Sequence, residues 1–68
     1  GGSACATLNA ANEEAVWAFL RGETGFNCIH RTVETALDRA TVKYRPSLAD
    51  ILEAGRLARE TAQAVLSR

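Results

Sequence analysis

Few side chains in this 68-residue sequence could do chemistry, and their spacing keeps them apart. The single histidine, His30, follows Cys28 by two residues, a separation that turns two helical side chains about 200° away from each other. Glu13 and Glu14 are adjacent, and adjacent helical residues do not face one substrate. We interpret His30 as a solvated side chain and the glutamates as favourable charges near a positive helix end. We therefore expect no catalytic, cofactor-binding or metal-binding residue in this chain.

The two cysteines also lack the pattern of a site. Cys28 lies near the start of a predicted helix, which favours a lowered pKa, but no second group is placed to make its thiol a nucleophile. Cys5 and Cys28 are far apart and neither has a CxxC partner. A small secreted domain usually carries more cysteines, in even-numbered sets. We expect two free thiols in a reducing cytoplasm, with a disulfide between them as the less favoured alternative.

Three amphipathic segments with short connections predict an all-α fold. The first helix is predicted over about 9–21, with Asn9 as its N-cap and Gly22 just past its end. The second is predicted over about 27–40, with Asn27 as the N-cap. The third is predicted over about 47–66, where Ser47 and Asp50 resemble a capping box. The prediction is a small antiparallel bundle of three helices that forms one domain, residues 1–68.

Two residues inside these helices are predicted to have structural roles. Asn12 falls close to the centre of the apolar stripe assigned to the first helix, which comprises Leu8, Ala11, Ala15, Val16 and Phe19. We expect its amide to be half-buried and to hydrogen-bond to the backbone of a neighbouring helix end or loop. The apolar stripe predicted for the third helix comprises Leu48, Ile51, Leu52, Gly55, Ala58, Ala62, Val65 and Leu66. Gly55 lies inside this stripe, and a glycine there costs about 1 kcal/mol relative to alanine. We expect close approach of a neighbouring helix to compensate.

The size of the chain limits the core that it can bury. A domain this small is marginally stable unless its core is well filled or a partner helps. Because many apolar residues are alanine, we expect the larger ones to fill most of the core, namely Phe19, Phe26, Trp17, Tyr44 and the leucines, isoleucines and valines. Trp17 and Leu57 lie off their stripes and are predicted to form a second contact surface, although the N-terminal tail could instead cover Trp17.

Composition excludes several classes of protein. The formal net charge is +0 and the charged residues are interspersed, which argues against nucleic acid or an anionic membrane as a partner, and against a helix-turn-helix DNA binder. No apolar run has the length of a membrane span. The N-terminal GGSACAT lacks the basic start and apolar centre of a secretory signal.

Several motifs together resemble one enzyme family. LNAANE at 8–13 is followed by AFL at 18–20 and by GF at 25–26. IxxxVE follows at 29–34, and SLxDILxA occupies 47–54. In this order and spacing they resemble the C-terminal helical domain of 1-deoxy-D-xylulose 5-phosphate reductoisomerase, over nearly the whole chain. Two residues depart from the pattern. The family often has Asp at the position of Cys28, and Pro or a small residue at the position of His30.

The resemblance implies a larger, cytoplasmic or plastid-type enzyme of non-mevalonate isoprenoid biosynthesis. The parent would convert 1-deoxy-D-xylulose 5-phosphate to 2-C-methyl-D-erythritol 4-phosphate with NADPH and a divalent metal, Mg or Mn. It would be a homodimer with an NADPH-binding domain, a catalytic domain and a four-helix C-terminal domain, of which this chain has the last three helices. The catalytic domain would be the partner of this chain, which would support the fold and be inactive alone.

A second hypothesis comes from another functional class. The chain could be a free-standing helical interaction module that self-associates through the surface that the missing helix leaves open. Sedimentation of the isolated chain distinguishes the two hypotheses, because a stable monomer would contradict self-association.

Overall fold

The computed structural model describes residues 2–67, which form three helices and no strand. They are α1 (Ala4–Leu20), α2 (Asn27–Arg39) and α3 (Leu48–Leu66). α2 runs antiparallel to both neighbours, so α1 and α3 lie side by side in the same direction. At one end Ser3 meets the loop before α3, and farther along Arg59 of α3 reaches Glu14 of α1. The predicted all-α bundle is confirmed.

Alanines form most of the core. The central cluster is Ala10, Ala11, Ala36, Ala58 and Ala62, with Val33 packed against it. The largest fully buried side chains are those of Thr7 and Thr32. The expectation that the larger apolar residues fill the core is wrong, since Phe19 is 38% exposed, Phe26 70% and Tyr44 87%. Small side chains let the helix backbones approach closely, and that leaves the larger side chains at the rim.

The start of α1 differs from the prediction. The helix begins at Ala4 with Ser3 as the preceding residue, so Asn9 is an exposed interior residue and its assignment as N-cap is wrong. Ser3 makes no side-chain cap bond. Instead its Oγ accepts a hydrogen bond from the Lys43 backbone N–H at 2.8 Å, and its own N–H donates to the Lys43 carbonyl at 3.0 Å. A contact across forty residues, rather than a local cap, holds this end of α1.

The end of α1 follows the prediction closely. Gly22 has a φ of +75°, the left-handed conformation that glycine adopts without a steric penalty. The Gly22 N–H donates to the Phe19 carbonyl at 3.0 Å and the Glu23 N–H to the Ala18 carbonyl at 2.9 Å. These two bonds form a Schellman motif, which satisfies carbonyls that the helix leaves free.

The two later helices begin differently. α2 starts at Asn27 itself with no side-chain cap bond at Phe26, so the assignment of Asn27 as N-cap is wrong. α3 begins with the predicted capping box: the Asp50 N–H donates to Ser47 Oγ at 3.1 Å, and the Ser47 N–H donates to Asp50 Oδ2 at 3.0 Å. Among residues 2–67, no helix has both the length and the hydropathy that crossing a membrane requires.

Candidate functional site

Cys28 occupies the most chemically distinctive environment of the predicted candidates. Its Sγ accepts a hydrogen bond from Arg31 Nη2 at 3.1 Å. A hydrogen bond from the Thr24 side chain, aided by the Arg31 charge, lowers the pKa of the Cys28 thiol. Both cysteines are free thiols. Within residues 2–67 no group of three or more His, Cys, Asp or Glu side chains is placed to hold a metal ion.

The remaining polar candidates form ion pairs. His30 Nε2 lies 3.0 Å from Glu34 Oε2 one helical turn away, and both side chains are exposed, as the interpretation of His30 as solvated predicts. Arg59 of α3 lies 3.2 Å from Glu14 Oε1 and 3.5 Å from Glu13 Oε1. The two glutamates therefore join α1 to α3 rather than facing a substrate.

Asn12 does not have the environment predicted for it. Its side chain is exposed and lines an open groove between α1 and α2 of about 520 Å³, together with Leu8, Phe26, Asn27, Ile29, His30 and Val33. The prediction of a half-buried amide is wrong because the buried face of α1 centres on alanines. Ala11 is fully buried, and its neighbour Asn12 points about 100° away from it.

Gly55 also differs from its prediction. A Cβ added at Gly55 would meet no atom within 4 Å, other than its own helix and neighbours. Within the part of the chain that the structure describes, no neighbouring helix approaches Gly55 closely. The close helix contact that was expected to offset the cost of a glycine within α3 is therefore not found among the described residues.

Trp17 and Leu57 are both exposed, at 47% and 49%. Leu57 lines a cavity of about 410 Å³ among the start of α1, the end of α2 and the first half of α3. Trp17 is not among the residues that line this cavity. The structure thus leaves each side chain available for contact but does not bring them to one pocket, and the surface predicted from the pair stays a prediction.

An ion pair lies at the end of the bundle where α1 and α3 begin. Lys43 Nζ lies 2.9 Å from Asp50 Oδ1. The backbone N–H of Ser47, followed by the Lys43 ammonium, holds the pKa of Asp50 below its usual range. Asp50 therefore contributes to the local fold through its pair with Lys43 and its bonds to Ser47.

An apolar face on α3 is the largest feature that the sequence reasoning missed. Leu48, Ile51 and Leu52 are 72%, 39% and 65% exposed. Because residues three and four apart share one side of a helix, these side chains and Gly55 form a continuous strip, here called the α3 leucine face. The periodicity had assigned all four residues to the core. The exposure of Leu48 and Leu52 favours contact with an apolar partner over any reaction.

Comparison with known proteins identifies the family of this chain. Residues 1–61 match the family described as the DXP reductoisomerase C-terminal domain. The chain belongs to this family. The resemblance stated from the motifs is confirmed.

Individual relatives support the family assignment. The chain is 46% identical over 98% of its length to 1-deoxy-D-xylulose 5-phosphate reductoisomerase of Bacillus pumilus. It is 50% identical over 97% of its length to the Cupriavidus pinatubonensis protein of the same name. It covers only 18% and 17% of these two relatives. No solved structure matches the chain.

Proposed function

We propose that this domain is the structural C-terminal part of a reductoisomerase that acts in isoprenoid biosynthesis. The parent converts 1-deoxy-D-xylulose 5-phosphate to 2-C-methyl-D-erythritol 4-phosphate. The domain packs against the catalytic domain of that enzyme, supports its fold and contributes no catalytic residue. Support comes from the family match and from relatives that carry this name and are more than five times as long.

One structural observation favours a supporting role above the others. The interior is built from alanines, while side chains able to bury much apolar area lie outside it, including Leu20 and Leu48 at 72% exposed. Burying such side chains contributes about 1.5–3 kcal/mol each relative to leaving them exposed. A domain arranged in this way would gain further stabilisation from contact with another part of the protein.

The cofactors belong to the same proposal. NADPH and a divalent metal, Mg or Mn, would bind the preceding domains of the parent, where NADPH supplies hydride and the metal polarises substrate oxygens. Within residues 2–67 the side chains do not fit such a metal, since no group of three or more His, Cys, Asp or Glu is placed to hold one and the adjacent Glu13 and Glu14 both pair with Arg59. The parent would be a homodimer in the cytoplasm or a plastid-type compartment.

The test compares the full-length enzyme with a version truncated before Gly1, using NADPH oxidation with 1-deoxy-D-xylulose 5-phosphate as the assay. We expect the full-length enzyme to be active, the isolated chain to be inactive, and the truncated enzyme to unfold at a lower temperature. Turnover by the isolated chain would contradict the proposal. So would a truncated enzyme with unchanged activity and an unchanged melting temperature.

Self-association is the second candidate, because the same exposed side chains could pair two copies of the chain. Sedimentation of the isolated chain over a range of concentrations tests it. A concentration-dependent dimer would favour this candidate, whereas a monomer at every concentration would remove it.

A further inference from the structure

We propose that the cavity at the end of the bundle where α1 and α3 begin binds a small molecule with one carboxylate and a short apolar chain. The cavity has a volume of about 410 Å³ and lies among the start of α1, the end of α2 and the first half of α3. This volume is within the range of small-molecule sites, which are mostly apolar with a few well-placed polar groups. The inference goes beyond a supporting role, because it gives the domain a ligand of its own.

Alanine side chains leave room for the apolar chain. Ala36 of α2 and Ala58 of α3 are buried, and Ala54 lies one helical turn before Ala58. All three line the cavity, and Leu57, at 49% exposed, lines it from the same stretch of α3. A short hydrocarbon chain seated here would leave water and contact these side chains, which is favourable in proportion to the apolar area buried.

Hydroxyl groups line the same cavity. Ser3 and Thr7 are 2% and 1% exposed, and Thr61 of α3 also lines the cavity. Ser3 Oγ already accepts a hydrogen bond from the Lys43 backbone N–H. A serine or threonine hydroxyl also has a proton to donate, and an ionised oxygen is its strongest acceptor. These residues would therefore supply hydrogen-bond donors to an anionic head group.

Arg39 supplies the charge that selects an anion. Of the charged side chains that line the cavity, Lys43 pairs with Asp50 at 2.9 Å, and Glu53 pairs with Arg56 at 2.7 Å. Arg39 lines the cavity as well, and it forms no ion pair within the part of the chain that the structure describes. A guanidinium binds a carboxylate through two parallel hydrogen bonds, so Arg39 is the residue that would hold the head group.

The surrounding charges favour a ligand with a single negative charge. α1 and α3 both begin at this end of the bundle, so two positive helix ends face it against the one negative end of α2. Asp50 and Glu53 also line the cavity, so a second negative charge on the ligand would be repelled once Arg39 is neutralised. A carboxylate therefore fits better than a phosphate monoester, which carries close to two negative charges at neutral pH.

Titration calorimetry of the full-length protein with sodium octanoate tests the proposal. We expect saturable binding, and Arg39→Gln should weaken it about tenfold, because the carboxylate loses its charged hydrogen-bond donors. Arg45→Gln is the matched control, since Arg45 is exposed in the loop before α3 and is not among the residues that line the cavity. Arg45→Gln should leave the affinity for octanoate unchanged. Equal affinities of the two variants would overturn the role of Arg39.

Two further probes with the same apolar chain test the head group. Octyl phosphate should bind more weakly than octanoate because of its additional negative charge, and octylamine should not bind measurably. Tighter binding of octyl phosphate would overturn the assignment of a carboxylate. Equal binding of all three probes would show that apolar contact alone holds them and would overturn the proposed selection of an anion.

Hydroxyl-radical footprinting of the unmutated full-length protein locates the bound octanoate. Saturating octanoate should slow oxidation of Leu57 several-fold and leave that of Leu20 unchanged, because Leu20 is exposed but does not line the cavity. Unchanged oxidation of Leu57, or no binding of octanoate at all, would overturn the proposal. Assaying reductoisomerase activity in the same preparation separates it from the proposed function, since an active enzyme that does not bind octanoate would contradict only the ligand site.

Discussion

α1 and α3 both begin just after a serine, but the two serines act in different ways. Ser47 forms a local capping box with Asp50, three residues away. Ser3 makes no cap bond and instead accepts a hydrogen bond from the backbone of Lys43. The capping box of Ser47 and Asp50 can be recognised in a short stretch of sequence. The long-range contact exists only once the loop before α3 has folded, so it anchors the bundle rather than the helix alone.

The largest effect on stability is expected at Gly2, next to the contact between Ser3 and Lys43. Gly2 has a φ of +64°, and an added Cβ would lie 2.3 Å from the Lys43 carbonyl oxygen. Gly2→Ala should lower the free energy of unfolding by roughly 2–4 kcal/mol, from left-handed strain and the clash together. Gly22→Ala is the matched control, because its φ is +75° but nothing lies within 4 Å, and it should cost about 1–2 kcal/mol. Urea unfolding followed by Trp17 fluorescence measures the free energy of unfolding of both variants. Equal losses would contradict the idea that close contact with Lys43 adds to the effect at Gly2.

Ser3→Ala should have the next largest effect. Ser3 is 2% exposed, and removing its hydroxyl leaves the Lys43 N–H without that acceptor. We expect a loss of about 1–3 kcal/mol in the free energy of unfolding. Ser67→Ala, which removes an exposed hydroxyl bonded to the Ala64 carbonyl at 3.2 Å, should change it by less than about 0.5 kcal/mol. Similar small losses from both variants would show that the Ser3 bond does not hold the bundle together.

Ser47→Ala tests the capping box at the start of α3. Losing this cap should lower the free energy of unfolding by about 1 kcal/mol. Amide hydrogen exchange should accelerate in the first turn of α3 while the first turn of α1 stays unchanged. Faster exchange at the start of both helices would mean that the starts of α1 and α3 are coupled. The distinction between a local cap on α3 and a long-range contact on α1 would then not hold.

The capping box should also respond to pH. Because the folded-state pKa of Asp50 is lowered, its contribution to stability is present above the ordinary aspartate pKa of about 3.9 and is lost as the pH falls through the folded value. Asp50→Asn should therefore destabilise the chain at pH 7 and make little difference in strong acid. Urea unfolding of both proteins across this range measures the difference, and a difference that did not change with pH would exclude the charge as its source.

Asn9→Ala should have the smallest effect, and of the opposite sign. Asn9 is exposed inside α1, where alanine has the higher helix propensity by about 0.5 kcal/mol. We expect slight stabilisation in thermal unfolding. A loss of more than about 1 kcal/mol would restore Asn9 as a cap and place the start of α1 where the sequence had predicted it.

The features that could be predicted are those with a local physical cause. The capping box of Ser47 and the stop at Gly22 depend on residues within a few positions, and both are present. Asn9 and Asn27 misled the prediction because asparagine favours caps without being restricted to them. The start at Ala4 depends on a contact with Lys43 that no local pattern contains.

The apolar residues were harder to assign for a different reason. Hydrophobic periodicity gives leucine and phenylalanine more weight than alanine, so Leu48 and Leu52 were assigned to the core. In the bundle the buried cluster consists of alanines, which changes which side of each helix is buried. Trp17 and Leu57, which the periodicity placed off their stripes, are exposed, whereas the α3 leucine face was hidden by its own regular spacing.

The alanine core also determines how the domain responds to temperature. The heat-capacity change on unfolding follows the apolar area that becomes exposed, and ordinary domains show about 12–15 cal/mol/K per residue. Here the buried cluster is five alanines, while leucines such as Leu48 and Leu52 are already largely in contact with solvent. The domain alone should therefore have a flatter stability curve than its length suggests. If the proposed function holds, its heat-capacity change on unfolding should be larger when it unfolds within the longer parent protein.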